Sequence, residues 1–165
     1  MFSNIHQMAR FCGLAILVFT ASPVFAAESD EEKIKSIIEA IRVGWVEADG
    51  APFRKHFLDF EGARYIESGG QNEGLDDLIN HHVVPEADAF DGFELKIDNL
   101  EVHVEGDFAW VLTDNEIKAK VKRDGRVIHN KGHGTYLLRK VDGEWKVIHS
   151  HSSSRPVKRE KSHKH

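Results

Sequence analysis

His149 and His151 stand two residues apart in Trp145-Lys146-Val147-Ile148-His149-Ser150-His151-Ser152. The alternation of that stretch reads as a β-strand, and residues two apart on a strand share one face. A neutral imidazole takes or gives a proton near pH 7, and a phenol can orient a carbonyl or a water. Turn spacing places Tyr136 on the neighbouring strand, directly opposite His149. His149, His151 and Tyr136 are therefore the candidate acid–base set. The same histidines also suit a structural role, buried and hydrogen-bonded. No carboxylate falls beside them in this register: Asp114 and Glu116 point to the other face, and only Asp59 and Glu67, flanking an earlier strand, are in question.

Other histidines suggest metal as an alternative. His81-His82 precede Pro85-Glu86, and His129 and His133 lie four apart on a strand. His82, Glu86, His149 and His151 would form an N/O donor set for zinc, copper or nickel if the helix carrying the first two closed over the strand. That spacing matches no recognised metal signature, so no metal and no cofactor is expected.

The segments that must hold these side chains follow from pattern and punctuation. Residues 1–26 read as an export signal, with Arg10 before the apolar stretch Phe11 to Thr20 and Val24-Phe25-Ala26 before the cut. The remaining 139 residues contain no cysteine, which excludes thiol catalysis, disulfides and cysteine-bound metals. Export implies a periplasmic or secreted protein with no membrane attachment after cleavage. The C-terminal residues 155–165 carry five basic side chains and one acidic, and read as a disordered tail. Without them the body, residues 27–154, has 16 basic and 26 acidic residues, which argues against a nucleic-acid partner.

Within the body, Ser29 and Glu32 have capping-box spacing, and Ile34, Ile37, Ile38, Ile41 and Trp45 recur at helical intervals. The first helix is thus expected over 28–48. A second follows at 51–58 with Phe53 and Phe57 on one side, then a short strand at 62–68 and a third helix at 75–84, stopped by Pro85. Beyond it the period becomes two. Gly106-Asp107, Asp124-Gly125 and Asp142-Gly143 divide the rest into four long strands, 93–105, 108–123, 126–141 and 144–153.

Helices followed by an antiparallel meander give an α+β domain. Pairing Arg123 with Arg126 and Val141 with Glu144 sets Thr113 opposite Tyr136, Val111 opposite Leu138 and Tyr136 opposite His149. One face then carries Val111, Thr113, Ile117, Tyr136, Leu138, Trp145, Val147, His149 and His151. The other carries Trp110, Leu112, Leu137, Arg139, Lys146 and Ile148. Both faces are partly apolar, so helices should cover one and a second copy of the protein the other.

This order of elements, with the ending Asp142-Gly143-Glu144-Trp145-Lys146-Val147-Ile148-His149-Ser150-His151-Ser152 and the strand start Gly106-Asp107-Phe108-Ala109-Trp110-Val111, resembles the NTF2-like superfamily, in particular its SnoaL-like branch. The ending is also similar to the association domain of calcium/calmodulin-dependent kinases, whose anion-binding arginines are replaced by Tyr136 and Ser152. The resemblance implies a cone: helices packed on a strongly curved sheet, a pocket inside, and a homodimer through the outer sheet face. It also implies a small organic ligand, with Trp45, Tyr65, Val111, Thr113, Tyr136, Val147, His149 and His151 as the expected lining. Dehydratase- or isomerase-type chemistry by His149 and His151 is the alternative.

Overall fold

The computed structural model describes residues 28–158. The expected leader, residues 1–26, and the distal tail from residue 159 lie outside that range. Helix α1 (Asp30–Glu47) starts where Ser29 accepts a hydrogen bond from the Glu32 amide at 3.2 Å. Its stripe Ile34, Ile37, Ile38, Ile41 and Trp45 is buried. Helix α2 (Ala51–His56) adds Phe53, and Trp45 and Phe53 meet edge to face at 5.2 Å. The hairpin β1 (Arg64–Glu67) and β2 (Gly70–Glu73) follows. Helix α3 (Leu75–Leu78) then widens into a π-turn (Ile79–Val83), closed by the Val84 amide on the Ile79 carbonyl at 2.9 Å. Pro85 ends that turn, but the chain forms one more short helix, α4 (Glu86–Ala89), before the sheet.

Strands β3 (Phe90–Glu105), β4 (Phe108–Val121), β5 (Val127–Val141) and β6 (Glu144–Pro156) form the expected meander. The sheet has six strands in the order β2-β1-β6-β5-β4-β3. It is mixed rather than wholly antiparallel, because β1 runs parallel to β6, with Tyr65 beside Ser150 and Glu67 beside Ser152. Strand β6 also runs further than expected: Arg155 and Pro156, assigned above to the tail, pair with Lys131 and Asn130.

The register departs from expectation in two ways. The β4–β5 connection is longer than a two-residue turn, with Val121 bonded to Arg126, so Val111 faces Tyr136 and Thr113 faces Gly134. An offset of two leaves every side chain on its expected face. Between β5 and β6 the change is larger. Leu138 pairs with Val147 but Leu137 pairs with His149, so Ile148 is a β-bulge. One extra residue exchanges the faces beyond it. Ser150 and Ser152 therefore join Tyr136 inside, and His149 and His151 turn outward beside Leu137 and Thr135.

Candidate functional site

The inner face of the sheet and the helical segments enclose a cavity of about 120 Å³. Trp45, Phe93, Leu95 and Ile117 supply apolar walls, while Glu67, Glu86, Asn115, Tyr136 and Ser152 supply polar atoms. A void of about 20 Å³, room for roughly one water, adjoins it among Trp45, Phe53, Phe57 and Tyr136. A wider groove of about 640 Å³ lies among Asp98, Asp114, Lys131, His133 and Arg155. Those five side chains are exposed, so the groove lacks the dehydrated setting in which polar groups act strongly.

Three elements bring the chemistry together. On β1, Tyr65 and Glu67 share the inner face, so Glu67 reaches the cavity where the strand ends. The π-turn presents His82, whose Nε2 lies 2.9 Å from Glu67 Oε2. Trp45 backs the imidazole edge-on, with ring centroids 5.5 Å apart. Helix α4 contributes Glu86, whose Oε2 is buried without a hydrogen-bond partner. π-turns are rare and concentrate at functional sites, and here the widened turn carries the histidine.

The electrostatics follow from this packing. The hydrogen bond to Glu67 raises the pKa of His82, against the opposing effect of burial. Burial, with the charge of Glu67 second, pushes the Glu86 carboxyl up to about 8, while His82 pulls it the other way. Burial and Glu67 likewise hold the Tyr136 phenol above its ordinary range. The cavity therefore sets an imidazole whose protonated form Glu67 favours beside a carboxylic acid, Glu86, that stays uncharged near neutral pH.

Glu67→Gln should accordingly lower the titration midpoint of His82, read from its imidazole proton shifts by NMR. The pair stabilises the fold fully below the unfolded histidine pKa, and that contribution is lost as pH rises through the folded value. An unmoved midpoint would mean that the 2.9 Å contact carries no charge coupling.

Of the expected lining, Trp45 and Tyr136 are in place. Val111 and Val147 are fully buried core residues, and Thr113 is buried beside Gly134. Tyr65 is also core: it is 0% exposed, and its hydroxyl donates to the Leu58 carbonyl at 3.3 Å. His149 and His151 are not in the cavity as acid–base groups, because the Ile148 bulge turns them out; His149 Nδ1 sits 2.7 Å from the Arg64 carbonyl oxygen on the outer side. The proposed metal set fails for the same reason, with His82 and Glu86 on one side of the sheet and His149 and His151 on the other. Among the described residues no group of three or more His, Cys, Asp or Glu is arranged to hold a metal. What sequence reasoning missed is the His82–Glu67 pair. Its one readable signal was the alternation Tyr65-Ile66-Glu67, which puts Glu67 on the side of an inward tyrosine.

The profile of the SnoaL-like domain matches residues 31–158. The chain belongs to the SnoaL-like family. Its fold is that of the NTF2-like superfamily. A nuclear transport factor 2-like superfamily protein from Salmonella enterica serovar Typhimurium superposes with a TM-score of 0.70 at 20% identity, over 82% of this chain and 96% of that one. A conserved protein from Planctomyces limnophilus gives 0.68 at 16% identity, covering 78% of this chain and 98% of that one. LinA gives 0.66 at 16% identity, covering 77% and 88%. No curated protein sequence matches the chain. The SnoaL-like cone thus agrees with the α+β reading, and its interior is where the His82–Glu67–Glu86 cluster lies.

Proposed function

We propose that this SnoaL-like chain is an exported small-molecule-binding protein, with one cavity per subunit of a homodimer joined across the outer sheet face. The observation that carries the reading is the cavity itself. It sets apolar walls from Trp45, Phe93, Leu95 and Ile117 against polar groups from Glu67, Glu86, Asn115 and Ser152, a combination that can bury and orient a small ligand. Its volume, about 120 Å³, is well below the roughly 300–1,000 Å³ of sites for drug-sized molecules, so the ligand is small. Support for export comes from the charge and apolar pattern of residues 1–26. Support for the dimer comes from the apolar residues exposed on the outer face, Phe108 and Leu112 among them.

Filling the cavity tests the reading. Ser152, half-buried on the inner face of β6, lines it directly. In a thermal-shift panel of small organic compounds, at least one should raise the Tm of the wild-type protein, and Ser152→Phe should abolish that rise while remaining folded. A ligand that binds only the native state must stabilise it. A saturating panel that never moves the wild-type Tm would overturn the reading.

One observation favours acid–base turnover as a second reading: His82 has a carboxylate within hydrogen-bond reach and a neutral acid next to it. A histidine held by one carboxyl group beside a second that stays neutral suits a base and an acid acting on one bound molecule. In that reading the roles expected of His149 and His151 pass to His82, Glu67 and Glu86, with Tyr136 orienting the substrate.

A further inference from the structure

We propose that the ligand of the cavity is a small organic cation, a primary or secondary amine whose ammonium group is held by Glu86 and Glu67. The inference rests on the cavity being a ligand site and names the class of ligand it takes.

Three observations point the same way. The first is charge. Glu67 and Glu86 line the cavity, and no lysine or arginine does. The adjoining imidazole, His82, is already engaged by Glu67 at 2.9 Å. An anion would enter against two carboxyl groups with no free positive partner.

Hydrogen-bonding capacity is the second. Two lining oxygens are buried without partners, Glu86 Oε2 and Asn115 Oδ1, and so is the hydroxyl oxygen of Thr113, outside the lining. Thr113 is only 3% exposed. It lies with Asn115 in front of Gly134, where an added Cβ would come within 2.6 Å of Thr113 Oγ1 and 3.1 Å of the Asn115 amide nitrogen. The glycine leaves room for these polar ends on the inner face. An ammonium group offers two or three N–H donors and no acceptor, the complement of unpartnered oxygens.

The third is the wall. Trp45, Phe93 and Tyr136 are among the lining residues, and an aromatic face attracts a dehydrated cation.

Binding then moves one proton. The groups facing Glu86 are Glu67 from β1 and His82 from the π-turn, with Tyr136 from β5 across the cavity. Near neutral pH the empty site holds Glu86 as the acid. The arriving ammonium stabilises its carboxylate, so the Glu86 proton leaves to solvent while the ammonium keeps its own. Charge is conserved: a cation enters and a proton departs.

Isothermal titration of the purified protein with butylamine, 1-butanol and butyrate, in two buffers of different ionisation enthalpy, tests this. Butylamine should bind at least tenfold more tightly than either isostere, releasing close to one proton per ligand at pH 7. Its affinity should rise about tenfold per unit between pH 6 and 7, because proton release is coupled to binding. Glu86→Gln should remove the proton release and weaken butylamine tenfold or more. If 1-butanol or butyrate binds as tightly as butylamine, the cation inference falls and the cavity reading stands. Butylamine binding unchanged in Glu86→Gln would also overturn the inference. Should none of the three bind, the inference falls, and the wider Ser152→Phe panel decides the cavity reading separately.

Discussion

Glu86→Gln should leave stability almost unchanged at pH 5 and raise it by roughly 3–5 kcal/mol at pH 9. The carboxyl titrates near 4.5 when unfolded and at about 8 in the fold, because burial and then the charge of Glu67 disfavour its ionised form. Between those values the native state holds a proton that the unfolded chain has released. Stability therefore falls as pH rises through this window and levels off above it. The rise from 4.5 to about 8, at about 1.4 kcal/mol per pH unit, sets the size of the effect. Glutamine has nearly the same shape and never ionises, so the variant should lose this slope. His82, whose pKa is raised first by Glu67 and in smaller part by Glu86, adds a slope of the same sign, and the variant loses the Glu86 part of it together with the slope of Glu86 itself. The depressed carboxylates, such as Asp77 and Glu116, matter on the acid side, where their contribution is lost as pH falls. Denaturant midpoints of both proteins from pH 5 to 9 would settle the matter. A flat difference would mean that Glu86 is ionised throughout, and the electrostatic picture of the cavity would be wrong.

The same cluster shows where a sequence reading of this chain stops. The first helix announces itself, because its isoleucine stripe and its Ser29 cap agree. The Asp142-Gly143 turn does too: both residues adopt positive φ, 51° and 82°, as a tight two-residue hairpin requires. The β4–β5 register is offset by two from the tight-turn pairing, which leaves the faces intact because the side-chain period is also two. The Ile148 bulge was different. Before it, Trp145 and Val147 mark the inner face by their apolarity. After it, His149-Ser150-His151-Ser152 is polar on both faces, so no hydrophobic signal says which side is in. A bulge at that boundary is silent in the pattern, and it decided which residues enter the site. Nor could local pattern pair Glu67 with His82, because their contact depends on how β1 and the π-turn pack across the cavity. The fold was therefore readable from repeating apolar positions, whereas the site was made by two irregularities, a bulge and a π-turn.

Leu137→Glu should convert the proposed homodimer into monomers in solution, seen as a halving of the mass by light scattering on a sizing column. Leu137 stands on the outer face of β5, between Trp110 on β4 and His149 on β6. Around it, Leu112 is 41% exposed and Phe108 36%, and His103 stacks on Trp110 with ring centroids 4.9 Å apart. An apolar centre with a charged and histidine-bearing rim has the build of a subunit interface, with Arg139, Glu101 and Lys146 on the same face. In a two-fold dimer the same patch meets itself, so one substitution places two carboxylates in the contact. Burying an unpaired charge there costs several kcal/mol, enough to dissociate a dimer of ordinary affinity. Leu112→Lys probes the same patch with the opposite sign and a more exposed side chain, and it should also yield monomers. If both variants stay dimeric with unchanged mass, the subunits meet elsewhere and the outer face is free. Monomers from both, with the amine response of the cavity retained, would show that this face joins subunits while each cavity works within its own chain.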